Sequence, residues 1–209
     1  MTVLDGIAYY QNRRDEVPNQ ELAAKLARTR NRRGIAEIAE NLRNENAEVQ
    51  ADCLKVLYEV GYIEPSLVSG CVDQFLQLLR SSSNRLVWGA MIGLSTIAEL
   101  QSAAIGRRAD EIIETMKAGS VITVDHGVKV LAIVASREPE ANEKLVAFLF
   151  NHLKTCRPKD VAQHSEKMMV AVDRQNKARF MKILISRMDE YSDSQLKRIT
   201  RVLGQAEAK

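Results

Sequence analysis

The sequence is poor in what a sheet, a disulfide framework or a membrane span requires. Aromatic residues make up 5% of its 209 positions and prolines number four. β-branched residues seldom run together, so little of it suits strands. The three cysteines, Cys53, Cys71 and Cys156, are odd in number and widely spaced. That pattern excludes a cysteine-stapled secreted fold and predicts small buried or half-buried thiols in a reducing compartment. No apolar run reaches the ~18 residues of a membrane helix. The longest apolar stretch, 86–97, carries two glycines. Residues 1–10 lack the basic start and apolar centre of a secretory signal. A soluble, cytoplasmic chain is expected. One-sided charge is also missing: 30 basic and 27 acidic residues leave a net +3, too mild to imply nucleic acid by itself.

Catalytic signatures are absent as well. The chain has no GxSxG, no GxGxxG and no phosphate loop. Asp125 and His126 are neighbours, so on a helix their side chains point apart. Glu111 and Glu114 share a face, but a solvated helix surface explains them. Isolated carboxylates such as Asp52 or Asp110 are marked out by nothing around them. The expectation is no reaction and no cofactor.

What the chain does have is helix-forming material and a period. Apolar residues make up 45%, enough for a core, and Ala, Leu, Glu, Lys, Arg and Gln dominate. Four segments align without gaps, beginning at Val49 (VQADCLKVLYEVG), Leu86 (LVWGAMIGLSTIA), Val124 (VDHGVKVLAIVAS) and Val161 (VAQHSEKMMVAVD). A weaker fifth begins at Leu196. In one column stand Cys53, Ala90, Val128 and Ser165, residues small enough for close helix approach. Further columns hold Val56, Gly93, Leu131 and Met168, then Val60, Ile97, Ala135 and Val172. These offsets trace one face of an α-helix. Each such helix follows another helical segment, at about 34–44, 66–80, 103–118, 140–154 and 176–190. Turn residues separate them: Ser81 to Asn84, Gly119-Ser120, Arg157-Pro158, Glu64-Pro65 and Glu138-Pro139. One unit is therefore a helical hairpin of about 37 residues that buries its faces only by stacking on neighbours. Residues 1–33 lack the repeat, and a helix at about 19–33 reads as part of an N-terminal cap.

The run Ser83-Asn84-Arg85-Leu86-Val87-Trp88-Gly89-Ala90-Met91-Ile92-Gly93-Leu94 resembles the second helix of HEAT repeats, with a polar cap leading into an apolar run. The related armadillo repeats share this pattern. The resemblance covers about 34–207. The family's usual Asp before that helix is replaced by Asn46 and Asn84 in the first two units, while Lys159-Asp160-Val161 in the fourth is closer to it. The resemblance implies an all-α superhelix of about five hairpins behind a helical cap. It also implies a curved scaffold that binds proteins, occasionally nucleic acid, with a few DNA-repair glycosylases among its members.

Opposite the core columns, the middle second helices carry Trp88, Ile92, His126, Val130 and Ile133, flanked by Tyr58 and Tyr62. An ordinary surface helix would place charge there. In a HEAT-type stack that side lines the concave face, so these residues are the candidate groove for a partner protein or peptide. The other reading is that these helices are simply buried all round, and the exposure of Trp88 separates the two. The alternative partner is nucleic acid, on Arg28, Arg30, Arg32 and Arg33. That cluster lacks interleaved aromatics and lies at a helix C-terminus, where positive charge is favoured anyway. Finally, His152 and Cys156 share a helix face and His164 follows. Three such groups can hold zinc, but no CxxC or HExxH accompanies them, and the sequence reading assigns no metal.

Overall fold

A computed structural model describes residues 2–209; Met1, where the expected cap begins, lies outside the described residues. Among those residues the chain forms twelve α-helices and no strand. They are α1 (Val17–Arg28), α2 (Arg32–Glu40), α3 (Ala47–Ile63), α4 (Val72–Leu78), α5 (Asn84–Ile97), α6 (Ser102–Gly106), α7 (Ala109–Ala118), α8 (Val121–Arg137), α9 (Pro139–Thr155), α10 (Pro158–Met168), α11 (Lys177–Ile185) and α12 (Asp193–Glu207). The second helices of the hairpins, α3, α5, α8, α10 and α12, start at residues 47, 84, 121, 158 and 193. The predicted period of about 37 residues is thus the spacing of real helix starts. The small-residue column is core: Cys53, Ala90, Val128 and Ser165 are fully buried.

Local chemistry sets the helix ends. The Asn31 side chain accepts from the Gly34 amide at 2.9 Å and Asn46 from the Glu48 amide at 2.9 Å, each pairing an amide that the first helical turn leaves open. Pro139 and Pro158 open α9 and α10, where a missing N–H costs nothing. Ser192 and Gln195 form a reciprocal capping box on α12.

The first helices are less regular than their sequence pattern. The helix expected at 19–33 is two helices, because Arg30 adopts φ 48° and turns the chain between α1 and α2. The segment 66–80 begins as two 3-10 turns before α4. There Ser66 and Ser69 hydroxyls bond to Glu64 Oε1 and to the Ser66 carbonyl, and Gly70 is a weak helix former. The segment 103–118 breaks at Arg107-Arg108, after Gly106. The segment 176–190 stops at Ile185 and resumes as a 3-10 turn, Met188–Glu190.

The chain divides into two compact units, residues 1–127 and 128–209, with the division inside α8. In the first unit α3 packs on α1, α2 and α5, and α4 packs on α5, with Leu57, Leu94, Met91, Ile38 and Phe75 fully buried on these helices. Glycines let the helices approach. A Cβ on Gly93 would meet the Phe75 ring at 2.9 Å, and one on Gly61 would meet Thr96 Cβ at 2.8 Å. The N-terminal segment is fastened to this unit through Asn19 and Asp52. Asn19 accepts from the Ala8 amide at 2.9 Å and donates to Asp52 at 2.9 Å, while Asp52 also accepts from the Tyr9 amide at 2.8 Å.

In the second unit α9 and α11 bring Phe150 and Phe180 to 5.7 Å between ring centroids. Against α10, α12 buries Ile199, Val202 and Ala206. At its edge Glu166 receives Arg198 and Arg201 at 2.6 and 2.7 Å, guanidiniums that hold its carboxyl below the usual carboxylate range against a smaller burial effect. Arg187, 8% exposed, donates to the Leu153 carbonyl at 2.6 Å and the Cys156 carbonyl at 2.8 Å. It closes the C-terminal end of α9, whose last carbonyls have no partner within the helix.

Candidate functional site

In the first unit the aromatic side chains of the second helices form a connected face. Tyr58 and Tyr62 lie one turn apart on α3, with ring centroids 6.2 Å apart in an edge-to-face arrangement. Tyr62 is 51% exposed, whereas Tyr58 is buried at 5%. Trp88 on α5 is half-buried and shares a small depression with Tyr58, Lys55, Glu16 and Arg85. Gly89 keeps this place tight, since a Cβ there would meet Leu54 Cδ2 at 2.7 Å.

The polar groups around the aromatics are held in fixed places. Lys55 Nζ lies 2.8 Å from Glu16, 2.7 Å from Glu59 and 4.9 Å from the Tyr58 ring centroid. Burial disfavours its charge, but the two carboxylates and the tyrosine more than compensate, so the ammonium is held above the ordinary lysine value. Burial in turn raises the Tyr58 phenol, which stays neutral. Ser95 donates to the Ile92 carbonyl at 2.8 Å and lies 2.9 Å from His126 Nδ1. With the hydroxyl proton directed to Ile92, His126 is the donor of that contact.

Beyond Glu16 and Arg85 the face continues into a polar cleft of about 730 Å³. Tyr9, Tyr10, Arg13, Arg14, Asp52 and Arg85 line it. Tyr10 is 52% exposed and its ring meets Tyr9 edge-to-face at 5.2 Å. Periodicity alone did not reveal this cleft, because Tyr9 and Tyr10 precede the repeat and reach α3 only through Asp52.

The candidate groove residues therefore separate by burial. Tyr62 is open, and Trp88 and His126 are half-buried. Ile92 in the first unit, and Val130 and Ile133 in the second, are buried at 7%, 0% and 6%. An exposed apolar strip through Ile92, Val130 and Ile133 does not exist: these side chains are core, and their helices carry apolar residues on more than one face for that reason. Arg28, Arg30, Arg32 and Arg33 are all exposed at the turn between α1 and α2, and Arg30 is paired with Glu64 at 3.1 Å. Arg32 also borders a groove of about 460 Å³ with Ile35, Arg43, Leu67 and Cys71.

In the second unit the structure brings together the three residues whose spacing the sequence had shown, though no metal was assigned to them. His152 Nε2 lies 3.0 Å from His164 Nδ1, and Cys156 Sγ joins them, with all three donor atoms within 4.8 Å of one another. Burial, helped by the neighbouring His164, lowers His152 to about 4. Burial raises the Cys156 thiol, and Arg187 partly opposes this. The buried thiols of Cys53 and Cys71 are pushed up to about 12 and about 11 by burial, which makes them inert packing residues.

No family model matches the chain, and no curated protein does. Solved structures do match. An engineered protein aligns over 100% of this chain and 98% of its own, at TM-score 0.67 and 16% identity. A designed armadillo repeat protein in complex with peptide (KR)4 aligns over 90% of this chain and 86% of its own, at TM-score 0.70 and 13% identity. Computationally designed armadillo repeat proteins for modular peptide recognition align over 88% and 86%, at TM-score 0.65 and 13% identity. The fold is thus an all-α repeat solenoid of the armadillo/HEAT type. No helix among the described residues is long and apolar enough to cross a membrane.

Proposed function

We propose that the chain is a peptide-binding scaffold, without a reaction of its own, that takes a segment of a partner protein on the aromatic face of its first unit. The observation that carries this reading is Trp88. It sits half-exposed on a second helix and borders the same depression as buried Tyr58, whose ring meets exposed Tyr62. It also lies beside the Tyr9–Tyr10 cleft, with Glu16 and Arg85 lining both that cleft and the depression. Large rigid rings give contact area at little entropic cost, and they recur as binding anchors. Solenoids of this type have been designed to recognise peptides, which supports the same use here. The depression beside Trp88 holds only about 10 Å³, so an apolar or guanidinium side chain of the peptide would stack on the open part of the indole rather than enter it. Arg13, Arg14 and Arg85 in the cleft, facing Asp15 and Glu48, would orient the peptide's polar ends. Three cysteines left as thiols accord with a reducing, cytoplasmic setting.

The test is a peptide-display selection on the whole chain, followed by titration of enriched peptides against wild type and Trp88→Ala. Loss of one anchor of this kind costs about 2 kcal/mol or more, so affinity should fall at least about thirtyfold while helicity is kept. Failure to enrich any peptide, or equal affinity for the variant, would sink the reading.

A further inference from the structure

We infer that His152, Cys156 and His164 form a zinc-binding site that clasps the end of α9 to α10. The topology builds it from two helix faces. His152 and Cys156 are one turn apart at the end of α9, and His164 stands on the following helix, turned back toward them. An imidazole pair with a thiolate is a donor set suited to zinc. Around a tetrahedral zinc ion the donor atoms stand about 3.3–3.8 Å apart, given metal bonds of about 2.0–2.3 Å. The three atoms already lie within 4.8 Å, and the two nitrogens at 3.0 Å. Side-chain rotations that close the thiol by up to about an ångström and open the imidazole pair by a few tenths complete the geometry.

The surroundings are built as a ligand shell would be. His164 is 4% exposed, so its ring has no freedom to leave. Arg187 is fixed by two α9 carbonyls and by Glu190 at 2.6 Å, and it points Nη1 at Cys156 Sγ from 3.8 Å. A buried donor aimed at sulfur stabilises a thiolate ligand and orients it. Asp160, one turn before His164 on α10, is half-buried against Arg157 at 2.7 Å. Its carboxylate is engaged there and is not among the converging donors, so a water fills the fourth position. On binding, the hydrogen shared by the two imidazoles moves to an outward ring nitrogen, so that both inner nitrogens donate electron pairs. The thiol releases its proton to solvent, giving one proton per zinc taken up. The hydrogen bond between the histidines brings their rings together, and the thiol, placed by the Leu153 carbonyl at 3.9 Å and by Arg187, converges on the same point.

The experiment uses the full chain, freed of any affinity tag, with zinc and cobalt(II) as probes. One equivalent of zinc should bind in competition with a chromophoric chelator, and the cobalt adduct should show a thiolate charge-transfer band with tetrahedral ligand-field absorption. Cys156→Ser and His152→Gln should each weaken zinc by at least about tenfold, the scale on which even supporting residues of metal sites act. Should a variant fail to fold, alkylation of wild-type Cys156, followed by mass spectrometry, decides: zinc must protect it. A cobalt adduct without the sulfur band, unchanged zinc affinity in Cys156→Ser, or a thiol equally reactive with and without zinc overturns the site.

Discussion

Asp52 shows how much one side chain decides in the first unit. It is 7% exposed and accepts hydrogen bonds from the Tyr9 amide and the Asn19 side chain. Through them it fixes the N-terminal segment that supplies Tyr9 and Tyr10 to the polar cleft. Asp52→Ala leaves two donors without an acceptor in a place with little water, a cost of about 1–3 kcal/mol. Asp52→Asn keeps one acceptor and should lose less. Chemical denaturation should rank them wild type, Asn, Ala, and hydrogen exchange should show the Tyr9 amide deprotected in the Ala variant. An unchanged Tyr9 amide would mean that the segment is held elsewhere. The sequence offered no route to this role. Asp52 read as one isolated carboxylate among several, because its partners lie 43 and 33 positions away and before the repeat begins. Trp88 was legible as a candidate from its place on the helical wheel, whereas Ile92, Val130 and Ile133 occupied equivalent places and proved buried. Periodicity says which side of a helix faces its own hairpin, but not whether the other side is covered by something else.

At the scale of elements, the contact between α3 and α5 rests on missing side chains. Gly61→Ala would bring a methyl to 2.8 Å from Thr96 Cβ, an atom on the helix stem that cannot swing away. Alanine is intrinsically the better helix former by about 1 kcal/mol, yet overpacking of this kind costs about 1–3 kcal/mol. The variant should therefore have a lower melting temperature. Thr96→Ala keeps that Cβ but removes Oγ1, the atom nearest the new methyl, so in the same chain it should recover part of the loss, and additive effects in this double-mutant cycle would rule the clash out. A second element contact is electrostatic. Glu111 at the start of α7 pairs with Arg108 and, at 2.8 Å, with Arg80 beyond α4. Those guanidiniums outweigh burial and hold its carboxyl down to about 2. Because the folded value lies below the unfolded one, the stabilisation is complete above about pH 4.5 and is lost as pH falls toward 2. Arg80 is 69% exposed, so solvent screening reduces the effect to about 1 kcal/mol or less. Wild type and Glu111→Gln should differ in stability at pH 6 and converge near pH 2, and a difference that does not shrink with acid would exclude the pairing as its source. The second helices were legible to within a few residues, because apolar offsets and caps agree there. Among the first helices, the segment read at 140–154 is α9 and that at 34–44 is α2 with a closing 3-10 turn. The segments at 66–80 and 103–118 were not legible, because Gly70 and Gly106 break apolar patterns that continue across them, and a left-handed Arg30 does the same in the cap.

At the scale of the whole molecule, a repeat period in the sequence becomes a period in the contacts. Bonds that tie one hairpin to the next join residues about one repeat apart: Arg80 to Glu111, Arg187 to Leu153, Gln195 to the Pro158 carbonyl and Arg198 to Glu166. Stability in such an array is a sum over hairpins and the interfaces between successive ones, so damage stays near its source. Phe180 tests this in the second unit. It is fully buried, packs against Phe150 at 5.7 Å between centroids and lies in the penultimate hairpin helix. Phe180→Ala removes a core ring, a change of about 3–5 kcal/mol. In a two-state globular domain of this size that loss would lower protection everywhere by the same amount. In a solenoid it should strip hydrogen-exchange protection from α11 and α12 first, spread to α10, and leave α3 and α5 at wild-type protection. Uniform loss across α3, α5 and α12 would show one indivisible cooperative unit. Loss confined to the end would show that the hairpin visible in the sequence as a run of some 37 residues is also the unit in which the molecule is stabilised.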